Sequence, residues 1–133
     1  MATTLSDDDR IEIRASNITS AGLGAFALVS FKKNELLGTY VGEPLTDAEY
    51  IERYGDSPVG AAGYCLIIRK NLTLDARDPK KSNWIRYVNS PARTAFKANV
   101  KFSLGGTLRA LRDIDVGTEL FVGYGSAYRW AAE

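Results

Sequence analysis

Eleven residues, Asn83-Trp84-Ile85-Arg86-Tyr87-Val88-Asn89-Ser90-Pro91-Ala92-Arg93, bring together two asparagines, two arginines and two aromatic rings. That mixture is too polar for a plain core strand and too aromatic for a plain loop. Amides and guanidinium groups aim several donors and acceptors, so the segment reads as one that holds something. A second candidate is Gly22-Leu23-Gly24, where the backbone can turn sharply or approach a ligand closely. Alone, that pair of glycines more often marks an ordinary turn, and it lacks the third glycine and the following helix of a dinucleotide fingerprint. The tyrosines are the third. Tyr40, Tyr64, Tyr87, Tyr124 and Tyr128 fall in or beside predicted strands, with Trp84 and Trp130 near two of them. Their rings can fill a small β core with hydroxyls at its edge, or converge on one pocket for a cationic ligand. Both readings stay open at this point. Glu43, Glu49, Glu52 and Asp75 show no spacing that argues for acid–base work and read as solvated surface.

Composition narrows the chemistry. There is no histidine and one cysteine, Cys65. Ser-His-Asp and Cys-His nucleophilic mechanisms are thereby excluded, as is an internal disulfide, and no metal site is expected. The net charge of +1 gives no global field toward nucleic acid or a membrane, so neither is expected as a direct partner. No apolar run approaches the length of a bilayer span, and no signal peptide is apparent. The sequons Asn17-Ile18-Thr19 and Asn71-Leu72-Thr73 therefore read as chance, and an intracellular location with a free thiol is expected. A length of 133 residues suits one domain with its own core.

These groups must be positioned by short elements. Residues 1–9 are polar and predict a frayed tail. Ile11 and Ile13 alternate with Glu12 and Arg14, a half-buried strand. A glycine turn over 20–24 leads into a second strand through Phe26, and Leu36–Val41 predicts a third. Thr46-Asp47-Ala48-Glu49 has capping-box spacing, which predicts a helix over about 46–54 closed by Gly55. Residues 55–63 predict a mobile loop. Residues 64–68 and 72–75 predict a hairpin around Lys70-Asn71; 100–102 and 107–111 predict another around Gly105-Gly106. Residues 119–125 predict a last strand. The fold class is mainly β with little helix.

The order of the pieces is specific. Gly22-x-Gly24-x-Phe26-Ala27, Tyr40-Val41-Gly42-Glu43, Tyr64, Asp75-Ala76, Asn83-x-x-Arg86-Tyr87-x-Asn89, Arg112-Asp113-Ile114-x-x-Gly117-x-Glu119-Leu120 and Gly123-Tyr124-Gly125 together resemble a SET-domain protein lysine methyltransferase. The resemblance runs from about residue 11 to residue 130. It implies a β-clip fold of several small sheets with a knot-like threaded C-terminal segment, built as a single SET domain over 10–133. Zinc-binding segments before or after the domain are not expected, since one cysteine cannot build them.

The resemblance also implies S-adenosylmethionine as methyl donor and a protein lysine as acceptor, with a histone tail as one candidate and a nuclear location in that case. By position, Gly22, Leu23, Gly24, Arg86, Asn89 and Ser90 would bind the cofactor. Tyr64 and Tyr124 would line the lysine channel, Tyr124 being the tyrosine usually called catalytic. Phe102, Val122, Tyr128 and Trp130 would complete the channel. Family members restrict multiple methylation with a tyrosine hydroxyl at a position that here carries Val122 or Phe102, so di- or trimethylation is expected. A homodimer is compatible with the sequence. One departure stands out: the family's Asn-His-Ser-Cys reads Asn89-Ser90-Pro91-Ala92 here, closer to the PR-domain branch or to small viral and microbial SET proteins. Two functions are consistent with this pattern, an active methyltransferase and an interaction module that kept the fold.

Overall fold

The computed structural model describes residues 6–55, 64–91 and 94–123. The alternating isoleucines form β1 (Ile11–Ala15), which pairs antiparallel with β2 (Leu23–Ala27), Ile11 opposite Ala27. A second sheet has the order β3 (Leu36–Thr39), β8 (Thr107–Ala110), β7 (Val100–Phe102). A third runs β4 (Glu43–Leu45), β6 (Leu72–Asp75), β5 (Cys65–Arg69), which leaves β5 at an edge. Among the described residues, the pairings between these strands are all antiparallel. The mainly β expectation and both hairpins are thus met, while β3 stops two residues early and β4 was not anticipated.

One α-helix, α1 (Asp47–Tyr54), starts with the expected capping box. The Glu49 amide donates to Thr46 Oγ1 at 3.1 Å and the Thr46 amide to Glu49 Oε1 at 2.8 Å, satisfying donors that the first turn cannot pair internally. The tail differs from the expected fray. Asp8 ties back Arg10 through a 2.8 Å ion pair, and Asp7 accepts the Trp84 amide at 3.1 Å. Residues 1–5 and the predicted loop over 56–63 lie outside the described residues.

The main core gathers Phe31, Leu37, Trp84, Ile85, Leu108 and Leu120, all buried, from all parts of the chain. Leu45, Tyr50 and Cys65 form a smaller core beneath α1. Burial, reinforced by the neighbouring Asp75 carboxylate, pushes the Cys65 thiol up to about 12, so this thiol is a packing group and not a nucleophile. Gly42 leads the chain into β4 against β6. A Cβ there would stand 2.9 Å from the carbonyl carbon and oxygen of Asp75, so only glycine passes.

Asp75, read from sequence as surface, is fully buried. It accepts from the Tyr54 hydroxyl at 2.5 Å, from Arg53 at 2.9 Å and from the Arg77 amide at 2.9 Å. Arg53 also reaches Glu43 at 3.0 Å, so this carboxylate fastens α1 to β6 and β4. Burial pushes the Asp75 pKa up, but the hydrogen bonds from Tyr54, the Arg77 amide and Arg53 outweigh it and hold it below the ordinary carboxylate value. A lowered native pKa adds stability above about pH 3.9, which is lost as pH falls through the native value. Asp75→Asn should therefore cost about 1 kcal/mol at pH 7. In thermal melts the gap between parent and variant should close as pH falls from 4 toward 2. A gap that stays constant would show that the charge plays no part.

Candidate functional site

The segment Asn83–Asn89 is a short 3-10 helix over Trp84–Tyr87 and its flanks. Asn83 caps it, accepting from the Ile85 amide at 3.3 Å while donating to the Thr39 carbonyl at 2.8 Å. Trp84 and Ile85 are buried in the main core, which leaves Arg86, Tyr87 and Asn89 directed outward on a rigid base.

Asn89 reaches across the fold. Its Nδ2 donates to the carbonyl of Leu23 at 2.9 Å, and its own carbonyl accepts the Val122 amide at 3.0 Å. Asn89 also forms a parallel bridge with Phe121. The Gly22–Gly24 turn, the Asn89 segment and the 121–123 segment are therefore clasped together, three pieces far apart in sequence. Residues 119–123, predicted as one strand, instead make isolated bridges: Glu119 to Phe26, Phe121 to Asn89 and Val122 to Val100. Asn99 locks this region from behind, donating to the Glu119 carbonyl at 2.9 Å and accepting the Phe121 amide at 2.8 Å. The chain past Gly123, on which the expected knot-like threading depends, lies outside the described residues.

The turn itself is shaped for close approach. Gly22 has φ 75°, a conformation costly for other residues. A Cβ on Gly24 would overlap the Glu119 carboxylate. Gly22 is exposed with open space where a Cβ would stand, whereas Gly24 is buried with the Glu119 carboxylate in that space, and Leu23 between them is 40% exposed.

Arg86, expected along the cofactor, is held by two backbone carbonyls. Its Nε donates to the Ala76 carbonyl at 2.9 Å and its second nitrogen to the Arg77 carbonyl at 3.0 Å. Its guanidinium lies 4.2 Å from the Tyr64 ring centre and 4.9 Å from that of Tyr87, which is cation–π range. Tyr64 has φ 53°, an unfavourable conformation for a tyrosine. It is held there through its carbonyl, which accepts the Tyr40 hydroxyl at 2.6 Å and the Ala76 amide at 2.9 Å. Tyr40, Tyr64 and Tyr87 thus do converge, whereas Tyr50 and Tyr54 pair with each other beneath α1, ring centres 5.1 Å apart.

The channel positions divide. Phe102 is half-buried and meets Tyr40 edge-on, ring centres 5.6 Å apart. It also lines a groove of about 650 Å³ with Leu66, Ile68 and Leu104. Val122, expected on the channel wall, is instead packed in the main core at 2% exposure. Ser90 follows Asn89 half-buried. Tyr124, Tyr128 and Trp130 lie outside the described residues. Sequence reasoning missed Glu119 and Asn99, both buried polar groups. A glycine with no conformational need for one, Gly24, was the available signal that a neighbour crowds that position.

The family model for the SET domain matches residues 22–125. The histone-lysine N-methyltransferase set-17 of Caenorhabditis elegans is 31% identical over 121 residues, 87% of this chain and 41% of that protein. The histone-lysine N-methyltransferase MEDEA of Arabidopsis thaliana is 37% identical over 106 residues, 77% of this chain and 15% of that protein. The chain therefore spans less than half the length of either relative. Among solved structures, ctPRC2 in an autoinhibited conformation bound to S-adenosylmethionine gives a TM-score of 0.71 at 22% identity, covering 89% of this chain and 15% of that one. The methyltransferase domain of human PR domain-containing protein 2 gives 0.65 at 21% identity, covering 95% of this chain and 92% of that one. At these identities the likeness is one of fold.

Proposed function

The chain belongs to the SET-domain family, and from that premise we propose that it transfers a methyl group from S-adenosylmethionine to the ε-amine of a protein lysine. The observation that carries this reading is the clasp of Asn89 on the Leu23 carbonyl at 2.9 Å. It fixes the Gly22–Gly24 turn beside the 121–123 segment, and the site fits the donor because the exposed backbone at Gly22, with open space where a side chain would stand, can meet its polar groups directly. When bound, S-adenosylmethionine supplies an electrophilic methyl on a sulfonium, chemistry that needs no histidine, metal or covalent intermediate.

The residues present have three tasks. Gly22, Leu23, Gly24 and Asn89 orient the donor, since alignment of the reacting atoms supplies much of such catalysis. Tyr64 and Tyr124 line the acceptor site, where exclusion of water disfavours the charged amine and so raises the fraction of neutral, nucleophilic lysine. Arg86, Tyr40 and Ala76 hold Tyr64 in its unfavourable backbone conformation.

A polypeptide acceptor suits the neighbouring surface. Edge strand β5 offers unpaired backbone groups beside the Leu66–Phe102–Leu104 groove, the arrangement that accepts an extended peptide. The names of the relatives point to a histone tail and hence to a nuclear setting. Phe102 carries no hydroxyl to hold a restricting water, and Val122 is buried in the core and carries none either, so exhaustive reaction should yield di- or trimethyl-lysine by mass spectrometry. A reaction that stops at monomethyl-lysine would refute that expectation.

The test is transfer of a labelled methyl group to core histones and to a cell lysate. Label retained on lysine after acid hydrolysis is the expected result. No transfer, with the protein folded and lysate proteins captured instead, would favour the interaction-module reading that Ser90-Pro91, in place of the family's His-Ser, leaves standing.

A further inference from the structure

Glu119 is 2% exposed, and among the described residues it makes no ion pair. A buried carboxylate without a cation is costly unless hydrogen bonds satisfy it. Here two do, both from one loop. The Ser16 hydroxyl donates to one oxygen at 2.7 Å and the Asn17 amide to the other at 2.7 Å. The loop so gripped joins β1 to β2 and ends in the Gly22–Gly24 turn. Its other closures are local: the Ser16 amide donates to the Gly22 carbonyl at 2.8 Å and the Ile18 amide to Ser16 Oγ at 3.0 Å. Glu119 is therefore the long-range anchor of this loop, a hundred residues away in sequence.

Two further contacts tie that anchor to the site. Glu119 bridges Phe26 in β2 through its backbone, which fixes the height of its side chain against the turn. Gly24 must be glycine because its Cβ would overlap the same carboxylate. The second glycine of Gly-Leu-Gly thus makes room for Glu119, while the first makes the turn. Asn89 then holds the turn from the opposite side through the Leu23 carbonyl.

We infer that Glu119 is a positioning residue for the methyl donor: its carboxylate clamps the Ser16-Asn17 end of the loop so that the Gly22–Gly24 backbone is ordered before the donor arrives. A site ordered in advance saves the donor the entropy of ordering it, so loss of the clamp should show in donor affinity and not in the transfer step. The inference rests on the donor-binding reading above, but the clamp itself can be measured without donor.

Three variants test it. Ser16→Ala removes the bond to Glu119 together with the local one from the Ile18 amide, without disturbing the core, and should weaken S-adenosylmethionine binding about threefold; Glu119→Ala, which leaves the Ile18 bond in place, should weaken it about fivefold or more, each bond being modest on its own. Glu119→Gln, which can still accept the Asn17 amide, should fall between parent and Glu119→Ala. In all three the KM for the donor should rise while kcat at saturating donor stays within about twofold. Hydrogen exchange on the free protein should show a protected Asn17 amide in the parent and a faster one in Glu119→Ala; if that variant does not fold, Ser16→Ala decides through donor affinity and KM. Unchanged donor affinity in Ser16→Ala and Glu119→Ala would overturn the inference, as would a fall in kcat with KM constant. A parent that protects Asn17 but binds no donor would instead refute the donor-binding reading.

Discussion

Tyr124→Phe should lower the rate of methyl transfer about a hundredfold or more while the protein stays folded. The substitution deletes one oxygen and keeps the ring, so packing is nearly conserved. What goes is a hydroxyl that, by the family pattern of Gly123-Tyr124-Gly125, belongs at the acceptor amine and the donor methyl. Removing a group so placed typically costs a factor of about 10² to 10³ in rate, and a hundredfold corresponds to about 2.7 kcal/mol of barrier. The described chain is anchored up to the residues just before it. Val122, two residues earlier, is tied to the Asn89 carbonyl at 3.0 Å and bridged to Val100. Single-turnover transfer and a thermal melt on the same preparation would check the prediction. A variant that melts and methylates like the parent would remove Tyr124 from the site.

The second large effect is expected at Asn89. Asn89→Ala should weaken S-adenosylmethionine binding about tenfold or more, since about 1.4 kcal/mol corresponds to a factor of ten and a single net hydrogen bond contributes about 0.5–1.5 kcal/mol. The variant loses the bond to Leu23, leaves that carbonyl without its amide donor and frees the turn on the donor-binding side. Pro91 biases Ser90 toward extended backbone, a pre-organisation that should offset part of what the family's missing histidine would contribute. Ser90→His should accordingly leave binding equal or tighter. Calorimetry decides both, and a folded Asn89→Ala protein with parental affinity would show that the segment is merely a crossing in the fold.

Much of this architecture was legible because it rests on local signals. The capping box at Thr46 and Glu49, the glycine turn before Phe26 and the two hairpins depend on residues a few places apart, so the sequence displays them directly. The clasp was legible only through the order of motifs, since nothing local to Asn89 says that its amide will meet Leu23. One carboxylate was misread and another missed for the same physical reason. Asp75 looks like a surface charge in sequence and Glu119 gives no sign there of its partners, and only the fold shows the hydroxyls, amides and, for Asp75, the arginine that make their burial tolerable. The partners of Arg86 were hidden in a related way: a guanidinium can serve a ligand or a carbonyl equally well, and only the fold brings the Ala76 and Arg77 carbonyls to it. The 119–123 segment defied strand prediction because its short apolar run fits a strand, while its partners are three separate elements and no one ladder.

The most direct test of the central claim is to add S-adenosylmethionine to the isotopically labelled protein and follow every backbone amide by NMR. The amides of Gly22, Leu23, Gly24 and Asn89 and those over 121–123 should shift together and saturate with one affinity, while Asn71 at the far β5–β6 turn stays still. No shift at millimolar donor, or shifts confined to the Leu66–Phe102 groove, would contradict the assignment of this clasp as the methyl-donor site.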